Sequence, residues 1–152
     1  MDRKKKAGVA ILISDKIDFQ RRAIKSDPEG HFITLKGRIH QEDINIVNIY
    51  APNMGAPKYI KKILEDFKKD IDNNTIVVGD FNTPLSKTDK SSKQYISKDI
   101  VALNNALDEM DLTDIYRAFH PKEGNTHPFQ VYMEDLEDTP HDRTQNKPQQ
   151  IQ

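Results

Sequence analysis

Cysteine is absent from all 152 residues. That one absence excludes disulfides, thiolate metal sites and a cysteine nucleophile, and it permits a reducing compartment. Also missing is any apolar run near the roughly 20 residues that a membrane-spanning helix requires, so no membrane partner is expected. Formal net charge is only −1, which denies the chain a global positive field for drawing in nucleic acid. Local basic groups would have to do that work: residues 3–6, Arg21 with Arg22, Lys61 with Lys62, and Lys68 with Lys69. The last two pairs fall on a segment that reads as helix, where lysines usually form a solvated face. There is no internal repeat, and nothing in the pattern bears on oligomeric state.

What is present fits one domain with a core of its own. Hydrophobic residues make up 36% and charged residues 31%, polar for a globular chain but sufficient at this length. A basic opening, residues 1–6, leads into the apolar run 7–13, and charge returns at Asp15 and Lys16. A strand covered on both faces explains residues 7–14 better than a secretory signal does. An intracellular protein is therefore expected, with nucleus and cytoplasm both open.

Residues 31–39 alternate, placing Ile33, Leu35, Gly37 and Ile39 on one side. The Asp27-Pro28-Glu29-Gly30 turn signal in front of them predicts a hairpin between 19–26 and 31–39. Residues 44–50 read as a central strand stopped by Pro52. Ile60, Ile63, Leu64, Phe67 and Ile71 then form one stripe of a helix expected from about Pro57 to Asn73-Asn74. Residues 75–78 follow as a short buried strand, completing a strand-helix-strand crossover that delivers Gly79-Asp80-Phe81-Asn82 at its end. A polar loop, 83–95, precedes a second helix near 97–110, carrying Ile100, Leu103, Leu107 and Met110 on one face. One more strand is expected over 112–116. From Gly124 onward apolar residues thin out, a composition that predicts little order over 124–152.

Chemistry concentrates at two strand ends. Asp80 and Asn82 lie two apart, the spacing that directs strand side chains to one side. A carboxylate there can orient or deprotonate water, and an amide beside it can hold a phosphate oxygen, which suits phosphodiester hydrolysis. Tyr50 and Asn53 end the preceding strand, one crossover away, and would add a hydroxyl and an amide around the same acid. Taken singly, each string also fits a plain structural role: Asp80 opening a turn, Asn82 and Asn53 capping loops, Tyr50 anchoring the core edge.

Together the two motifs resemble the endonuclease/exonuclease/phosphatase superfamily, which includes apurinic endonucleases, DNase I and the LINE-type endonucleases. Four blocks, residues 7–14 (AGVAILIS), 48–59 (NIYAPNMGAPKY), 75–86 (TIVVGDFNTPLS) and 112–122 (LTDIYRAFHPK), are similar to the endonuclease that begins the second open reading frame protein of LINE type-one retrotransposons. The resemblance covers about residues 7–123, in order. It implies a two-sheet α/β sandwich of DNase I-like type, with 7–123 a partial domain and 124–152 a divergent, disordered tail. It further implies Mg2+ as cofactor, DNA as partner and a nick in one DNA strand as the reaction. By it, Tyr50 and Asn53 contact phosphate, Asp80 activates water, and Asn82 positions water and phosphate.

The chain departs from that family in the groups that complete the reaction. The family places an Asn and a metal-binding Glu ahead of the block beginning here at Ala7, and only residues 1–6 precede it. Its Ser-Lys-Ile-Asp-His and Ser-Asp-His strings occur nowhere in the 152 residues. His120 lies in a matched block but not at the family's catalytic histidine, and His141 beside Asp142 has no scaffold to pre-organise it. No metal ligand is therefore assigned. The expectation is an endonuclease fragment, inactive in isolation; the alternatives are a non-catalytic DNA-binding or interaction module, or a nuclease of apurinic-endonuclease type completed by a partner.

Overall fold

The computed structural model of the protein describes residues 8–83, 97–120 and 130–134. Strands β1 (Phe19–Ser26) and β2 (Phe32–Ile39) form the expected antiparallel hairpin, with Ser26 opposite Ile33 and Phe19 opposite Ile39. Its turn closes where Gly30, at φ 80°, donates its N–H to the Asp27 carbonyl at 3.0 Å. β1 is an edge strand, exposed along nearly its whole length and interrupted between Arg21 and Ala23 by a register shift. A bulge and a basic edge both discourage another chain from pairing there.

Strand β3 (Glu42–Tyr50) returns antiparallel to β2 through a two-residue turn, His40 and Gln41, at φ 48° and 70°. Helix α1 (Ala56–Phe67) then crosses over to strand β4 (Thr75–Asp80), which runs parallel to β3 from Asn45↔Thr75 to Tyr50↔Asp80. The crossover is as expected, but α1 ends at Phe67, several residues early. Residues 68–74 turn instead: Asp72 Oδ1 accepts the Asn74 N–H and the Thr75 hydroxyl, local bonds that compete with a helix ladder. The buried Asn45 amide ties β3 into this turn by donating to the Asp70 carbonyl and to Thr75 Oγ1.

Helix α2 (Lys98–Glu109) starts at Ser97, whose Oγ accepts the Ile100 N–H, and carries Asp99 in its first turn. Strand β5 (Leu112–Asp114) is shorter than expected, because Tyr116 lies in a short helix, α3 (Ile115–Phe119). The larger correction is strand β6 (Gln130–Glu134), which falls inside the segment expected to lack order. It inserts between β4 and β5, antiparallel to both, giving the order β1-β2-β3-β4-β6-β5. Those five residues gain their order from ladder bonds on two sides, which composition does not reveal. The remainder of 124–152 and nearly all of the 83–95 loop lie outside the described residues.

Pleating makes the two sheet faces unequal. Val47, Ile49 and Val77 pack on one face against Ile60, Leu64 and Phe67 of α1 and Leu103 and Leu107 of α2, with Phe81 and Leu112 closing the cluster. Each such buried aliphatic side chain contributes about 1.5–3 kcal/mol relative to exposure. The opposite face presents Ile33, Ile44, Ile46, Ile76 and Val78, only half-buried. The architecture is α/β with one mixed sheet; the second sheet of the expected sandwich is not among the described elements. Nor do residues 8–14 form the expected strand. Leu12 is 96% exposed, and the described tie to the sheet is a single bond, Asn48 Nδ2 to the Ala10 carbonyl at 3.0 Å. A strand needs a ladder partner, and none of the described strands pairs with this run. No helix among the described residues is long and apolar enough to cross a membrane.

Candidate functional site

The crossover places the sequence-derived residues together. Tyr50 and Asp80 end neighbouring parallel strands and stand directly opposite one another, about 4.8 Å apart in backbone terms. Both belong to the half-buried face of the sheet, by their alternation with Asn48 and Val78. The ladder runs one step further, the Ala51 N–H donating to the Asp80 carbonyl at 2.9 Å. Close strand approach here depends on Gly79, at φ 147°, whose missing side chain leaves room for the Ile49 backbone.

Asn82 acts differently from the i, i+2 expectation. The strand stops at Asp80, and Asn82 has φ 45°, a left-handed conformation that asparagine tolerates better than most residues. Its N–H donates to Asp80 Oδ1 at 3.0 Å, and its side-chain amide donates to the Ala51 carbonyl at 2.7 Å. Asn82 therefore fixes the carboxylate and clamps the end of β4 to that of β3. One Nδ2 hydrogen is so used, which leaves the second N–H to donate and Oδ1 to accept. Asn53 is exposed in the loop between β3 and α1, on the same rim of the sheet. Phe81, wholly buried beneath the helices, anchors this peptide between its two polar neighbours.

A second group, outside the residues expected from the sequence, stands on this rim. His31 precedes β2, and its carbonyl accepts the Tyr50 N–H at 2.7 Å, so it flanks Tyr50 on the side away from Asp80. Asp27 Oδ2 accepts both the His31 backbone N–H, at 3.1 Å, and ring Nδ1, at 2.9 Å. Glu29 Oε2 lies 3.7 Å from the same nitrogen. The ring meets Tyr59 of α1 edge-on at 5.7 Å. Burial pushes the Asp27 carboxyl up, but hydrogen bonds from His31 and from the Glu29 backbone, with the His31 charge, leave it below the usual range. Burial raises the Tyr59 phenol, aided by the charges of Asp27 and Glu29. An aspartate and a histidine four apart across a Pro-Glu-Gly turn was the available signal.

The donor set at the strand ends fits a resident Mg2+ poorly. Such an ion takes six oxygen ligands, commonly one or two carboxylates with waters and substrate phosphates. Asp80 brings one carboxylate, with one oxygen already accepting the Asn82 N–H. Among the described residues no group of three or more His, Asp or Glu side chains is arranged to hold a metal.

Solved structures share this fold at low sequence identity. The endonuclease domain of TRAS1, a telomere-specific non-LTR retrotransposon, superimposes with a TM-score of 0.57 at 13% identity, over 82% of this chain and 58% of that one. The chain shares its fold. D. rerio TDP2, complexed with single-strand DNA product, superimposes at 0.50 and 9% identity, over 80% of this chain and 54% of that one. The shared fold is α/β, seen in the described residues as one mixed sheet with α1 and α2 on one face. The chain spans between half and two thirds of the length of both structures. No family model matches the sequence.

Proposed function

We propose that this chain is a retrotransposon-derived portion of a metal-dependent DNA endonuclease, with the carboxyl ends of β3 and β4 as its phosphodiester site. In this reading the Tyr50 hydroxyl and the Asn53 amide donate to phosphate oxygens, Asp80 orients and deprotonates the attacking water, and Asn82 accepts from that water. The observation that carries it is the opposition of Tyr50 and Asp80 in a parallel pair, with Asn82 bonded to both strands. Likeness of fold to a retrotransposon endonuclease domain supports it independently.

The polypeptide is catalytically incomplete on its own in this account. Hydrolysis also needs a group that neutralises or protonates the leaving oxygen. The strings that carry the catalytic Asp-His pair in the resembling family do not occur in these 152 residues, and Asp80 alone does not make a cation cage. The experiment is incubation of the purified chain with supercoiled plasmid and Mg2+, beside an Asp80→Ala control. Expected is no nicking above the control, together with DNA binding that weakens steeply with salt as phosphate contacts release counterions. Asn53→Ala should weaken that binding roughly fivefold, the worth of one hydrogen bond. Nicking that depends on Asp80 would overturn the incompleteness; absence of any DNA binding would overturn the site itself.

A further inference from the structure

We propose that the cleft between the β1–β2 hairpin and the C-terminal end of α1 binds a small aromatic carboxylate that also carries an N–H donor, the carboxylate meeting Lys25 and the donor meeting Asn45. The cleft lies by the Asn45↔Thr75 pair, at the opposite end of the β3–β4 ladder from Tyr50 and Asp80. It is independent of the phosphodiester reading.

The strand register builds the floor. Two cross-strand rows, Ala23 with Lys36 and Asn45, and Lys25 with Thr34 and Val47, lie on the face of the sheet that packs against the helices. Helix α1 stops at Phe67, and between Phe67, Asp70 and the two rows lies a hollow of about 210 Å³. Sites for drug-sized ligands are typically about 300–1,000 Å³, so the occupant is small. Val47 and Phe67 give it an apolar surface, which favours an aromatic body over a bare hydrophilic anion.

Asn45 supplies the demand for a donor. It is 6% exposed, and its Nδ2 donates both to the Asp70 carbonyl and to Thr75 Oγ1. A carbonyl can only accept, so that end of the amide is the nitrogen. Oδ1 is left buried and unbonded, the only such side-chain atom among the described residues. Buried polar atoms are nearly always bonded, and an N–H entering the cleft finds an acceptor that no other group has taken. Oδ1 is closed to solvent as it stands, so the Lys36–Asp70 ion pair at the mouth must part to admit the ligand. Both side chains are about half exposed, and exposed pairs are weak latches.

Lys25 supplies the charge. Its ammonium lies 5.0 Å from the centre of the Phe67 ring and forms no ion pair among the described residues. The hydrogen bond and charge of Lys36 hold the Asp70 carboxyl below its usual range, with Lys25 adding to the effect and burial opposing it. Two ammonium groups therefore face one carboxylate at the cleft, a surplus that attracts an anion.

The test is an amide NMR titration of the isotope-labelled full chain with indole-3-acetate, which joins a ring N–H to a carboxylate. Expected is saturable binding with a Kd of about 1 mM or tighter, with shifts at Lys25, Lys36, Phe67 and the side-chain amide of Asn45. Benzofuran-3-acetate, which has an oxygen in place of the N–H, should bind about tenfold more weakly. Indole-3-acetamide lacks the charge and should lose about fivefold. Lys25→Met, on an exposed edge strand and with its stem retained, should weaken indole-3-acetate by a similar factor and leave indole-3-acetamide unchanged. Equal affinity for the indole and benzofuran acids, an unmoved Asn45 side-chain amide, shifts outside the cleft, or no saturable binding would each overturn the inference.

Discussion

Replacing Gly79 with alanine is expected to leave the chain without a stable fold. The residue sits opposite Ile49 in the parallel pair at φ 147°. A β-carbon added there would overlap the Ile49 carbonyl oxygen and lie 2.8 Å from its carbonyl carbon and 2.9 Å from its nitrogen. These are backbone atoms of the central ladder, so no side-chain rotation relieves the clash, and the φ itself is strained for any L side chain. The expected cost exceeds about 4 kcal/mol, a large part of the roughly 5–15 kcal/mol that holds an ordinary domain together. Gly55 is the control. Its φ is 72° but open space surrounds it, so Gly55→Ala should cost only about 1 kcal/mol. Urea unfolding of both variants checks the pair; a Gly79→Ala midpoint close to the parent's would show that the strands do not approach as described.

The second large effect is expected at Phe81. Its ring is wholly buried in the core cluster that also holds Ile49, Val77, Ile60 and Leu103, and truncation to alanine should cost about 3–5 kcal/mol. Its position between Asp80 and Asn82 adds a functional consequence. The peptide that carries both polar residues is pinned by this ring from below and by the Asn82 amide from the side. Phe81→Leu, which keeps much of the volume, should retain the fold at reduced stability while weakening DNA binding. Thermal unfolding followed by circular dichroism, with anisotropy on the same samples, separates the two effects. Undiminished binding by a destabilised Phe81→Leu would show that the ring does not position the site.

Legibility in the sequence tracked how local the cause of each element was. The Asp27–Gly30 turn, the α1 stripe and the buried run ending at Asp80 each carry their own signal, and each lies close to where it was expected. The β2–β3 turn carries no such signal. His40 and Gln41 both adopt positive φ, a geometry usually advertised by Asn-Gly, and the pairing they permit was not read. Strand β6 was missed because its order is supplied by β4 and β5 rather than by its own composition. The run 8–14 failed in the opposite sense, being apolar enough for a strand but pairing with none of the described strands. At the site, Tyr50 and Asp80 were brought together by crossover logic alone. The Asn82 clamp depends on a left-handed backbone, and the His31–Asp27 pair on a turn that folds one onto the other. Neither shows in strand periodicity.

The most direct measurement is an amide NMR titration of the isotope-labelled chain with a short DNA duplex. Shifts should concentrate at Tyr50, Ala51, Asn53 and residues 80–82, and should fade as salt is added. Shifts confined to the exposed β1 edge or to the outer face of α1, or no shifts at any salt concentration, would contradict a phosphodiester site at these strand ends.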